Sequence, residues 1–105
     1  MRNCRFCLVL PYITPFTVED EINSGDIIQL NCLVSKGDRP IKISWWFNDE
    51  PLEESLGVTK TQIGDRTSLL MISPVLGTHA GNYTCMASNI AGSVNHTVTV
   101  RVNGT

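Results

Sequence analysis

The stretch His79-Ala-Gly-Asn-Tyr-Thr-Cys-Met-Ala-Ser-Asn89 decides how the rest of this chain is read. Tyr83 and Cys85 alternate with Asn82, Thr84 and Met86, which is the period of a strand whose two faces differ. Gly81, two residues before the tyrosine, marks a tight turn into that strand. A Tyr-x-Cys pair on one register aims the cysteine into a core, where it needs a partner.

Working outward, the chain reads as short β segments divided by turn residues, with no helical pattern. Residues 11–18 (A) are β-rich but carry Pro11 and Pro15, so they form an edge strand broken at Pro15. Residues 27–34 (B) place Ile28, Leu30, Cys32 and Val34 on one face, and residues 41–48 (C) do the same with Ile41, Ile43, Trp45 and Phe47. Residues 58–63 (D) are polar, residues 67–72 (E) align Leu70 and Ile72 inward, and residues 82–89 (F) and 93–102 (G) complete the set. So many short strands with Gly and Pro turns predict an antiparallel sandwich or barrel. The cysteines choose between them. Cys32 and Cys85 both lie on inward registers, 53 positions apart, and Trp45 follows the first by thirteen residues. A disulfide joining two facing sheets over a buried tryptophan is the immunoglobulin arrangement, an all-β Greek-key sandwich of two antiparallel sheets. Tyr83 is placed as its tyrosine corner, ring in the core and hydroxyl bonded back to the preceding turn. The expected core is therefore Cys32, Cys85, Trp45 and Tyr83, with Leu70 and Ile72.

The bulk numbers agree with one domain: 105 residues, 42% hydrophobic and 17% charged. Eight basic against ten acidic residues give a net charge of −2 with no basic run, which argues against a nucleic-acid surface. No apolar run approaches the eighteen or so residues that span a bilayer, so any membrane attachment is expected from other parts of a parent protein. Cys4 and Cys7 fall in the opening Met1-Arg-Asn-Cys-Arg-Phe-Cys-Leu-Val-Leu10, before any strand pattern begins. That segment is leader-like, and residues 1–10 are expected to lie outside a domain spanning 11–103. Zinc at Cys4-x-x-Cys7 would need two more ligands at similar spacing, and His79 and His96 sit far away in sequence, so neither a metal nor another cofactor is expected.

Four phrases, Gly25-Asp-Ile-Ile-Gln-Leu-Asn-Cys32, Ile43-Ser-Trp-Trp-Phe-Asn48, Arg66-Thr-Ser-Leu-Leu-Met-Ile72 and His79 to Ser93, together resemble an intermediate-set (I-set) immunoglobulin domain. Their wording is similar to the variable domains of the arthropod Down syndrome cell adhesion molecules (Dscam): the seventh immunoglobulin domain, and the first domain of the shortened chelicerate forms. The similarity runs over roughly residues 11 to 103, and its most specific part is HAGNYTC followed by NIAGSVNHT. One departure stands out. His79 replaces the usual aspartate of Asp-x-Gly-x-Tyr-x-Cys, which removes the usual ion pair and leaves the role of Arg66 open.

No nucleophile with a base beside it is visible, so an enzyme is not expected. Glu19, Asp20, Glu21, Asp49, Glu50, Glu53 and Glu54 read as solvated loop acids. The informative side chains are those on outward registers: Ile27, Gln29, Asn31 and Leu33 on B, Leu69 and Met71 on E, and Lys60 if D presents it outward. In the immunoglobulin topology A, B, E and D form one sheet, so these residues share a face and suggest a contact patch. Trp46 faces out of the opposite sheet and competes as a hot spot. Three glycosylation sequons, at Asn82, Asn95 and Asn103, point with the disulfide to a secreted or cell-surface protein, and two of them crowd the sheet that carries Trp46. The resemblance implies adhesion and self-recognition, with the A-B-E-D sheet meeting that of a second copy as an antiparallel homodimer. The alternative is a heterophilic ligand- or pathogen-binding domain of an immune or guidance receptor that uses the C-F-G sheet.

Overall fold

Alternating apolar and polar residues between Gly-, Pro- and Asn-marked turns fold as ten strands among the residues that the computed structural model describes, 8–53 and 57–103. In chain order these are β1 Tyr12–Ile13, β2 Ile22–Asn23, β3 Ile28–Lys36, β4 Lys42–Phe47, β5 Glu50–Pro51, β6 Val58–Ile63, β7 Thr67–Ile72, β8 Gly81–Asn89, β9 Gly92–Val100 and β10 Val102–Asn103. One sheet runs β1-β3-β7-β6 and the other β5-β4-β8-β9, with every neighbour antiparallel. They are the expected A-B-E-D and C-F-G sheets of an all-β sandwich. The first strand is broken as Pro15 requires. β1 pairs with β3, and the chain then crosses over so that β2 pairs in parallel with β10. At the crossover Phe16 turns its ring inward, edge-on to His96 at 4.6 Å and to Trp45 at 6.0 Å.

Between the sheets, Cys32 and Cys85 form the disulfide, and Trp45, Tyr83, Leu70 and Ile72 are buried around it. The Trp45 indole N–H donates to Ser68 Oγ at 2.9 Å, which gives a polar group in an apolar core its partner. Tyr83 O–H donates to the His79 carbonyl at 2.6 Å, closing the turn before β8. Gly81 has φ +153°, and a Cβ there would sit 2.7 Å from the Phe47 ring and 2.8 Å from Asn48 Oδ1. Glycine therefore stands two residues before the tyrosine because the β4–β5 turn packs directly against its backbone.

His79, where an aspartate is usual, is buried and accepts the Leu76 N–H at Nδ1 (2.9 Å), so it holds the turn by a local hydrogen bond. Arg66 donates to the carbonyls of Val34 (3.2 Å) and Gly37 (2.9 Å) and so ties the end of β3 to the following turn. The domain boundary expected at Pro11 is crossed by hydrogen bonds. Val9 N–H donates to Asp38 Oδ2 (2.8 Å), and the Val9 carbonyl accepts from the Asp38 N–H (3.1 Å) and from Asn89 Nδ2 (2.8 Å). Leu8 to Leu10 thus run along the domain, while Cys4, Cys7 and Glu54 lie outside the described residues.

Burial pushes the Tyr83 phenol from 10.0 up to about 12. Since the folded pKa lies above the unfolded one, the stabilisation is complete below pH 10 and is lost between about pH 10 and 12. The difference between the two states is worth roughly 3 kcal/mol. Denaturant midpoints followed from pH 8 to 12 should fall through that window, and Tyr83→Phe should flatten the fall. At neutral pH the same substitution should cost about 1 kcal/mol for the lost bond to His79.

Candidate functional site

Register decides which side chains leave the β1-β3-β7-β6 sheet outward. Directly opposed residues of an antiparallel pair point to the same side. Leu70, Ile72, Ile28, Leu30 and Cys32 are buried inward, so their neighbours along each strand face out. Three rows result: Gln29, Met71 and Thr59; Asn31, Leu69 and Thr61; Leu33, Thr67 and Ile63. All nine are uncharged. Met71 is 40% exposed, Leu33 38% and Ile63 53%, so the apolar members reach solvent. Ile27, at 66%, extends the face beyond the start of β3, and Tyr12 borders it at the β1 edge with the Lys36 ammonium 5.6 Å from its ring centre.

Lys60 is a correction. It pairs with buried Leu70 and therefore projects from the inner side of β6, at the open edge of the sandwich. There its Nζ donates to the Leu52 carbonyl at 2.9 Å. It belongs to the seam between the sheets, and the outer face carries no charge in its place. Thr59, Thr61 and Ile63 occupy the outward positions of β6. A signal for them existed, because Val58 taken as inward makes Thr59, Thr61 and Ile63 outward, but a strand this polar gives its parity only weakly.

The opposite sheet presents a different outer surface. Trp46, Thr84 and Thr97 form one row, Ser44, Met86 and Asn95 the next, and Asn82 faces out beside Thr99. Trp46 is half-buried and donates its indole N–H to Ser44 Oγ at 3.2 Å. Asn82 and Asn95 are both exposed on this surface, while Asn103 ends β10. His96 pairs with Cys85 and so faces inward, where its Nε2 lies 2.8 Å from the Phe16 carbonyl. Among the described residues no three His, Cys, Asp or Glu side chains gather as a metal site, and no helix is long and apolar enough to cross a membrane.

Residues 11–89 match the family described as "Immunoglobulin domain". This chain belongs to the immunoglobulin domain family. The immunoglobulin domain is 36% identical over 95 residues to the Drosophila melanogaster cell adhesion molecule Dscam2, covering 90% of this chain and 5% of that protein. It is 43% identical over 88 residues to human cell adhesion molecule DSCAM, covering 84% of this chain and 4% of that protein. The chain thus spans about a twentieth of these relatives. Its fold superposes on the crystal structure of Dscam1 Ig7 domain isoform 5 with a TM-score of 0.86 at 38% identity, covering 90% of this chain and 97% of that one.

Proposed function

We propose that this immunoglobulin domain is an extracellular recognition module of a cell adhesion receptor, and that it binds a second copy of itself through the outer face of the β1-β3-β7-β6 sheet. The uncharged three-by-three array around Leu69 and Met71 carries this reading. A two-fold contact sets each residue against a symmetry-related surface, so a self-binding face must tolerate its own chemistry. Gln29 and Asn31 offer both donors and acceptors to their own copies, Thr59 and Thr61 do the same, and Met71 and Leu33 supply apolar area without like-charge repulsion. With Lys60 on the inner side, discrimination between variants rests on shape and amide pairing at these rows. The array is small beside the 20–30 residues a stable interface uses on each side. Affinity should therefore be weak for one domain and gain from neighbouring domains or clustering. The disulfide and the similarity to cell adhesion molecules support the extracellular setting.

Bead aggregation and sedimentation test the reading. Met71→Asp places a carboxylate in both halves of the contact and should weaken self-association about tenfold or more. Because Met71 is exposed, the melting curve should stay in place. Leu69→Asp should act in the same direction, and Trp46→Ala should leave association intact. Loss with Trp46→Ala and none with Met71→Asp would move binding to the opposite sheet.

A further inference from the structure

The β5-β4-β8-β9 sheet carries a recess of about 210 Å³ on its outer face, lined by Trp46, Asp49, Thr84, Met86, Asn95 and Thr97. Asn95 begins the sequon Asn95-His96-Thr97 and stands exposed at the edge of this recess. We propose that Asn95 is an N-glycosylation site, and that the first N-acetylglucosamine of its glycan seats in this recess against Trp46. The inference rests on the extracellular reading above and adds to it an assignment for the other face.

The geometry supplies two walls and a floor. Trp46 on β4 and Asn95 on β9 are separated by β8, so their walls stand about 10 Å apart, two strand spacings. Thr84 and Met86 lie between them as the floor. The bond from the Trp46 indole N–H to Ser44 Oγ turns the ring along its strand, toward the row that holds Met86 and Asn95. An indole face is electron-rich, and the apolar C–H face of a pyranose packs against it. The Thr84 and Thr97 hydroxyls share one hydrogen bond at 2.7 Å, which leaves one hydroxyl proton of the pair to meet a sugar oxygen. Asp49 at the rim can accept from a sugar hydroxyl or the N-acetyl N–H. Asn82 differs, because its carboxamide oxygen already accepts from Thr99 Oγ1 at 2.7 Å and it does not line the recess.

The modification needs a lipid-linked oligosaccharyl pyrophosphate as co-reactant. Asn95 Nδ2 forms a bond to the sugar C1, the bond from C1 to the pyrophosphate oxygen breaks, the pyrophosphate leaves with the electron pair, and the amide nitrogen gives up one proton. A sugar so placed covers Trp46 and closes this face to partners.

The test uses the full chain secreted from animal cells, in an Asn82→Gln background that leaves Asn95 the acceptor on this surface. Glycopeptide mass analysis should find Asn95 occupied. One sample is trimmed by an endoglycosidase that leaves a single N-acetylglucosamine, and a second is stripped completely by an amidase, which leaves an aspartate at position 95, so Asn95→Gln serves as the uncharged sugar-free reference. The one-sugar form should melt with the untreated form, while the stripped form and Asn95→Gln should melt about 4 °C lower. Acrylamide should quench the tryptophan emission more strongly in the stripped form, since Trp45 is buried and Trp46 is the accessible indole. With Trp46→Ala the one-sugar and stripped forms should melt together. An unmodified Asn95 in protein with an intact Cys32–Cys85 disulfide overturns the proposal, as does equal quenching with and without the sugar. Failure of the extracellular reading shows separately, as free thiols at Cys32 and Cys85.

Discussion

Trp45→Ala is expected to destabilise the domain by about 3–5 kcal/mol, whereas Trp46→Ala in unglycosylated protein should cost less than about 1 kcal/mol. The two residues are chain neighbours, yet strand pleating sends them to opposite faces. Trp45 is 3% exposed, lies opposite Cys85 in the ladder, and meets the Phe16 ring edge-on. Truncating it removes the largest side chain beside the disulfide and takes the indole donor from Ser68, which is itself buried. An orphaned buried hydroxyl adds to the cavity cost. Trp46 loses only a bond to Ser44 and surface packing. Chemical-denaturation midpoints for both variants check the contrast, and equal losses would mean that the facing of β4 is reversed.

Removing the disulfide by the double substitution Cys32→Ala, Cys85→Ala should cost a further-reaching amount, about 4 kcal/mol. The sequence separation of 53 sets this figure, because an uncrosslinked chain regains the freedom of that whole loop in the unfolded state. Both cysteines are fully buried, so the lost sulfurs also leave space between the sheets. A domain of this size holds roughly 5–15 kcal/mol in total. The melting midpoint should therefore drop by about 18 °C, and the same drop should appear when the unsubstituted protein is melted in strong reductant. A midpoint that does not move under reductant would show that the cross-link contributes nothing to the folded state.

The sandwich was legible wherever strands alternate sharply. In β3, β4, β7 and β8 the inward positions are filled mostly by Ile, Leu, Val, Cys, Trp, Tyr and Phe, and their neighbours are mostly polar, so parity follows from burial alone. The candidate recognition face inherits that clarity: Gln29, Asn31, Leu69 and Met71 are outward because Leu30, Cys32, Leu70 and Ile72 cannot be. His79 and Arg66 were harder to read. Their partners are backbone groups, the Leu76 N–H and the carbonyls of Val34 and Gly37, and backbone positions leave no trace in side-chain pattern.

By itself, the sequence determined the family of folds, the cysteine pair, the facing of Trp45 and Trp46, and the tyrosine corner. Each of these depends on a period of two and on residues that water excludes strongly. Tertiary structure alone decided where Lys60 points. In Val-Thr-Lys-Thr-Gln-Ile the two apolar residues, Val58 and Ile63, sit on opposite parities, and only pairing with β7 fixes which one is buried. It also decided that Val9 belongs to the folded chain, through bonds to Asp38 and Asn89, the latter 80 residues away. The same holds for the recess that Trp46 and Asn95 line from either side of β8. Such contacts join positions distant along the chain, and exposed polar strands pay no burial cost that would announce them in advance.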